Sequence, residues 1–337
     1  MQLFYRNIKT IKGILVATLL LILVEFAFHQ DEIVQKYRSV FAAGRLMDKI
    51  DYINNYKPKL IVAGNSRIDN GIDPMTAKNL ISSDSVDIFN LGIPGSNMRV
   101  IQGVTNYITA NNNPLNSVSD HILIGLDPGL FILEEQLGYS IFFGDRKEMW
   151  NQQDFHWLLA SIFRLWGFSP NLKGLREPDK LQKFIKASFS QVEAWGGDVT
   201  TNKGFRAEEG ILSVKEQHNT EDFKNTMVLD NRAINYFMKI INDLKNQDIE
   251  VAIFYPLVYK NGKVIPVSEL FEPDDLQLIT DFLKKKNIRF ISDIETDDFT
   301  FNDFFNPGHF NSKGAEKFTR KLITRLMNEW PSFVEIL

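Results

Sequence analysis

The chain has 337 residues, 44% apolar and 24% charged, which suits one large globular domain or a domain with an appendage and excludes a disordered chain. Its formal net charge of −4 argues against a nucleic-acid partner, since the longest cationic run, Lys284, Lys285 and Lys286, ends an expected helix from Asp274, where positive charge suits the dipole. The absence of cysteine excludes disulfides, thiolate metal sites and cysteine nucleophiles.

Residues 13–28 are apolar on every helical face until Glu25, and Arg6, Lys9 and Lys12 stand on their amino side. With Ile8 and Ile11 the stretch approaches the roughly 20 residues that span hydrocarbon. The flanking cations place the amino end in the cytoplasm, so the main domain is expected on the periplasmic or extracellular side of the cell (inner) membrane. Phe26-Ala27-Phe28-His29 offers no small-x-small cleavage site, so residues 1–29 read as an uncleaved single-pass signal anchor rather than a removed signal peptide. Glu25, near the outer end, is expected to reach interfacial water.

Residues 30–57 place Ile33, Tyr37, Val40, Phe41, Leu46 and Ile50 mostly three or four apart, the pattern of a juxtamembrane helix, and Pro58 ends it. From 58 to 337, short apolar runs at 60–63, 86–91, 121–126, 250–255 and 289–291 alternate with helical stretches. That alternation predicts an α/β domain with a doubly wound, roughly five-stranded parallel sheet. Between about 134 and 225 the pattern gives way to aromatics and glycines, including Trp150, Trp157, Trp166, Trp195, Gly196 and Gly197, which predicts an inserted subdomain. Its aromatics either pack the insertion or line a sugar site. Residues 259–264 read as a hairpin turning at Asn261-Gly262. The last helix, 312–327, carries Ala315, Phe318, Leu322, Ile323 and Leu326 on one face, capped by Asn311 or Ser312.

Four segments carry the chemistry: Gly64-Asn65-Ser66-Arg67 after the first strand run, Asn90-Leu91-Gly92-Ile93-Pro94-Gly95-Ser96 after the second, Gly125-Leu126-Asp127-Pro128 after the third, and Asn306-Pro307-Gly308-His309 before the closing helix. In an open α/β sheet such segments collect at the carboxyl ends of the strands, so Ser66 and His309 can meet across the intervening chain. Their order resembles the blocks of the SGNH, or GDSL-like, hydrolase superfamily over roughly residues 58–328. That resemblance implies a three-layer α/β/α sandwich, Ser66 as nucleophile, His309 as its base, and an oxyanion hole built from the backbone N–H groups of Ser66 and Gly95. Asn65, Arg67, Asn90 and Asn97 are the expected substrate-binding side chains.

The chain departs from that pattern twice. Asp127 stands where the superfamily supplies an oxyanion asparagine, and a carboxylate there is expected to turn to backbone N–H groups or to a cation such as Arg67. Asn306 stands at the acid position; it can orient an imidazole but brings no charge, so Asp303 is expected to contribute, with Asp293 a remoter candidate. The anchor and the block variants resemble membrane-anchored SGNH-like proteins of surface-polymer O-acetylation and D-alanyl transfer to teichoic acids, which work beside a membrane-bound O-acyltransferase. The implied function is an exported esterase or acyltransferase on acyl, chiefly O-acetyl, esters of a surface polysaccharide. The other class the sequence leaves open is a catalytically weak glycan-binding or accessory partner of such an acyltransferase. The five histidines form no ligand motif, and neither metal nor cofactor is expected.

Overall fold

The computed structural model describes residues 2–37, 43–81, 87–110, 121–134, 136–189, 197–213, 227, 229–291 and 293–330. The chain forms two compact units, residues 1–47 with 137–195 and residues 48–136 with 196–337.

In the first unit, helix Gln2–Phe28 contains one stretch, Thr10–Phe28, of 19 residues with mean hydropathy 2.3, long and apolar enough to cross a membrane, exposed from Thr10 to Val24 and partly covered at Glu25, Ala27 and Phe28. Glu25 does more than reach water. Its carboxylate accepts the N–H groups of Arg164 (2.6 Å) and Leu165 (2.9 Å), capping the short helix Arg164–Gly167 and tying the apolar helix to the inserted segment. The expected juxtamembrane helix is two helices, Asp31–Lys36 and Ala43–Tyr56, with Leu46 and Ile50 buried. Val40 and Phe41 lie outside the described residues. The insertion is helical; Trp157 packs edge-on against Phe143 at 5.5 Å and is buried, whereas Trp150 and Trp166 are exposed. Trp195, Gly196 and residues 214–226 of the expected insertion lie outside the described residues. The compact insertion ends by 195, because residues 197–213 belong with the second unit: Asn90 N–H bonds to Lys203 O (2.9 Å) and Leu212 N–H to Phe304 O (2.8 Å).

The second unit is α/β around a five-stranded parallel sheet: β1 (Leu60–Gly64), β2 (Ile88–Gly92), β3 (His121–Gly125), β4 (Glu250–Phe254) and, after a small antiparallel hairpin of β5 (Leu257–Lys260) and β6 (Lys263–Pro266), β7 (Arg289–Phe290). The order is β2-β1-β3-β4-β7, so the winding reverses between β1 and β3, and the crevice at such a switch point is where α/β sheets take their ligands. Strand β2 begins at Ile88; Val86, at the start of the expected run, lies outside the described residues. Strands β1, β2 and β3 are buried throughout and apolar but for Asn90 and His121, as suits parallel strands covered on both faces. Leu60, Val62, Leu123 and Phe254 face a core shared with Ile68, Phe318 and Leu322. On the other face Ile61, Ala63, Ile122 and Ile124 meet Ile101, Val104 and Ile240 of helices Met98–Ala110 and Asn231–Lys245. The closing helix Ser312–Glu329 is capped by Asn311, whose Oδ1 accepts Gly314 N–H at 3.0 Å.

Candidate active site

Strand β1 ends at Gly64, and Asn65 breaks the strand by capping a single helical stretch, Ser66–Gly71: its Oδ1 accepts Arg67 N–H at 3.0 Å. Ser66 is thereby the first residue of a helix perched on the strand end. The neighbouring strands end in glycine because that helix lies against them: a Cβ at Gly92 would stand 2.1 Å from Asp69 N. Helix Ser66–Gly71 turns Ile68, Asp69, Asn70 and Gly71 inward and leaves Ser66 and Arg67 partly open.

His309 comes from the far end of the chain on β9 (His309–Phe310), paired with β8 (Phe304–Asn306). Its Nε2 lies 2.7 Å from Ser66 Oγ, and its Nδ1 lies 2.9 Å from Asn306 Oδ1. Because an amide oxygen only accepts, Nδ1 carries the proton and Nε2 is the acceptor that faces the serine hydroxyl. Asn306 Oδ1 also accepts Gly308 N–H at 3.0 Å, which fixes the amide across the Pro307-Gly308 turn. Burial, then the Arg67 and Arg206 cations, push the His309 pKa down to about 4 against the opposing pull of the Asp69 carboxylate, so the ring is neutral at pH 7.

The second segment hangs on the same strand end. Ile93 N–H donates to Gly64 O at 2.8 Å, and Ser96 N–H closes the turn on Ile93 O at 3.0 Å. Proline at the second position and glycine with φ +70° at the third make Ile93-Pro94-Gly95-Ser96 a type II turn, which a side chain at position 95 would strain. Among the described residues, neither Ser66 nor Gly95 N–H meets a protein acceptor.

The remaining expected residues divide sharply. Asp127, fully buried, accepts Gly129 N–H at Oδ1 (2.6 Å) and the Arg67 guanidinium at Oδ2, so it is an anchor for Arg67 and not an oxyanion donor. Asp303 does not supply His309 with charge: its Oδ2 accepts Thr300 N–H at 2.8 Å in a capping box and stands 3.4 Å from Lys317 Nζ. Asn90 and Asn97 are not brought to the serine as ligand groups. Asn90 is buried and bonds Ile68 O and Ile72 O, both at 2.7 Å, and Gly92 N–H. Asn97 caps helix Met98–Ala110 through Val100 N–H and bonds Glu134 O.

Beneath the serine helix lies a buried ionic cluster that the sequence reading did not single out. Asp69, wholly buried, takes Lys49 Nζ at 2.8 Å and Arg206 Nε at 2.7 Å. Lys49 also donates to Gly92 O at 2.6 Å, and Arg206 to Asn70 Oδ1 at 2.7 Å. The one local signal is a carboxylate three residues after Ser66 on an inward helical position, which demands a cation; nothing in the sequence says which.

The chain matches no protein-family model and no curated protein.

Proposed function

We propose that this chain is a membrane-anchored, exported serine esterase or acyltransferase of the SGNH type, a three-layer α/β/α sandwich whose Ser66 takes an acyl group from an ester of a surface polysaccharide. The observation that supports this reading is the Ser66–His309–Asn306 relay, with contacts of 2.7 and 2.9 Å. Neutral Nε2 takes the Ser66 proton as Oγ bonds to the ester carbonyl carbon, and the carbonyl π electrons move onto oxygen. The N–H groups of Ser66 and Gly95 receive that oxyanion. Collapse breaks the bond to the alcohol oxygen, which takes the proton from His309 and leaves an acylated Ser66. Water or a sugar hydroxyl, deprotonated by the same Nε2, then attacks the acyl carbon; Ser66 recovers its proton and the acid or the new ester departs. Asn306 holds the Nδ1–H tautomer throughout.

Arg67 cuts both ways: its charge opposes the imidazolium that forms on proton transfer and favours the oxyanion that forms with it. With an amide in place of a carboxylate at 306, the imidazolium has no charged partner in direct contact, and turnover is expected to be slower than a carboxylate there would allow. That feature favours one second reading, an SGNH-type accessory partner of a membrane-bound O-acyltransferase that binds glycan without turning over esters. Turnover of an activated acetyl ester by the full-length protein and by Ser66→Ala separates the two. The esterase reading expects a loss of at least about a thousandfold in the variant, at an unchanged melting temperature. Equal turnover in both proteins contradicts it.

A further inference from the structure

Scattered apolar side chains on a surface are ordinary, but a contiguous patch marks a contact. In helix Phe155–Ile162, Phe155, Leu159 and Ile162 recur at the spacing of one helical face and are exposed, while Trp157, Ala160 and Ser161 are buried. The helix therefore turns an apolar face outward as well as one inward. Trp150 extends the outer face, its ring edge-on to Phe155 at 5.3 Å and 63% exposed; Phe163 and Trp166 continue it at 50% and 47%.

The same compact unit fixes where this face lies along the apolar helix. Glu25 accepts the N–H groups of Arg164 and Leu165, and the Arg164 guanidinium donates to Phe28 O (3.1 Å) and Asp31 Oδ1 (2.9 Å), so Phe163 and Trp166 stand within a turn of residues bonded to the helix's outer end. At 1.5 Å per residue, Thr10–Phe28 covers about 28 Å, close to the roughly 30 Å of a hydrocarbon core. Its outer boundary therefore falls near residues 25–28, the level at which tryptophan and other aromatics favour the headgroup region. Residues 137–189 also carry eight Lys or Arg against five Asp or Glu, in a chain of net charge −4, which suits an anionic lipid surface.

We infer that the outward face formed by Trp150, Phe155, Leu159, Ile162, Phe163 and Trp166 seats in the headgroup layer of the bilayer that the N-terminal helix crosses, giving the chain a second, monotopic contact with its own membrane. This rests on reading Thr10–Phe28 as a membrane span. The aromatics expected either to pack the insertion or to line a sugar site thus divide, Trp157 serving packing and Trp150 and Trp166 serving lipid.

The chain has no cysteine, so Leu15→Cys, Phe155→Cys and Phe163→Cys each accept a single spin label at an exposed position of the full-length protein. In vesicles of phosphatidylethanolamine and phosphatidylglycerol, collision with oxygen reports lipid and collision with a nickel chelate reports water. The expected result is an oxygen-to-nickel ratio at 155 and 163 at least several-fold above that of free label in buffer, and below that at 15. Ratios at 155 and 163 equal to free label, with 15 still in lipid, overturn the second contact and leave the span intact. A water-like ratio at 15 overturns the span and the inference together. Shielding of 155 and 163 from both reagents overturns the lipid assignment in favour of a protein covering that face.

Discussion

Replacing Asn306 by aspartate puts a carboxylate where the amide oxygen now meets His309 Nδ1 at 2.9 Å, and Gly308 N–H at 3.0 Å remains to hold it. A unit charge about 4 Å from an imidazolium is worth about 4 kcal/mol at an effective dielectric of 20, or about three pKa units as an upper figure. The wild-type ring sits at about 4 through burial and the cations of Arg67 and Arg206, so the aspartate variant should titrate between about 5 and 7. The sign is fixed by the mechanism: His309 must be neutral to accept the serine proton, so the acid limb of kcat/KM moves up in pH by one to three units, on the order given by the Coulomb estimate. Above that limb the stronger base and the charged partner raise turnover, by about ten- to a hundredfold against a ceiling of about ten-thousandfold from the opposite change in serine proteases. The assay is the pH dependence of acetyl-ester hydrolysis by wild type and Asn306→Asp. An unmoved acid limb in a folded variant whose activity still requires Ser66 would refute His309–Asn306 as the base pair.

Asp303→Ala should lower stability by about 0.5–2 kcal/mol through loss of the capping box, with a small change in turnover; a loss of turnover on the scale of the nucleophile variant, without unfolding, would return Asp303 to the catalytic relay. Lys49→Met breaks one arm of a buried pair whose members are 1% and 0% exposed and should cost about 3 kcal/mol, the low end for such pairs because Arg206 still holds Asp69. Denaturant unfolding checks this, and a loss below about 1 kcal/mol, the scale of a surface pair, would contradict it. Folding stability should also fall as pH drops from about 6.5 to about 4, because the unfolded chain protonates His309 there and the folded chain does not; the loss is at most about 3 kcal/mol by pH 4. Melting temperatures against pH for wild type and His309→Gln test it, since the variant lacks that slope; identical slopes would rule it out.

Much of the sheet was legible because each strand is a short apolar run ended by a turn residue. Expected runs at 60–63, 121–126 and 250–255 are β1, β3 and β4 to within a residue or two, and the Asn261-Gly262 hairpin is β5 with β6. Ser66 and His309 were legible because both stand where a strand gives way to a helix. The polar side chains were harder. Asn90 and Asn97 look like ligand groups at and beyond a strand end, yet one satisfies buried carbonyls and the other caps a helix, and only tertiary position distinguishes these uses. The Asp303 expectation failed for a similar reason: the local Thr300 N–H was nearer to hand than the imidazole. Lys49, Asp69 and Arg206 were invisible as a group because burial joins residues from three distant segments, and Arg206 lies in a stretch that reads as insertion. Glu25, set in an apolar run, gave no hint that its partners are two backbone N–H groups about 140 residues away.

The most direct test of the proposed activity is whether the chain itself carries the acyl group. Full-length protein mixed with an activated acetyl ester, acid-quenched within the first turnover and mapped by peptide mass, should show one acetyl group on the peptide containing Ser66, none in Ser66→Ala, and accumulation of the acylated form in His309→Gln slowed along with turnover. Acetylation that is absent from Ser66 while the ester is still hydrolysed, or that is unchanged in Ser66→Ala, would contradict a serine acyl-enzyme at this site.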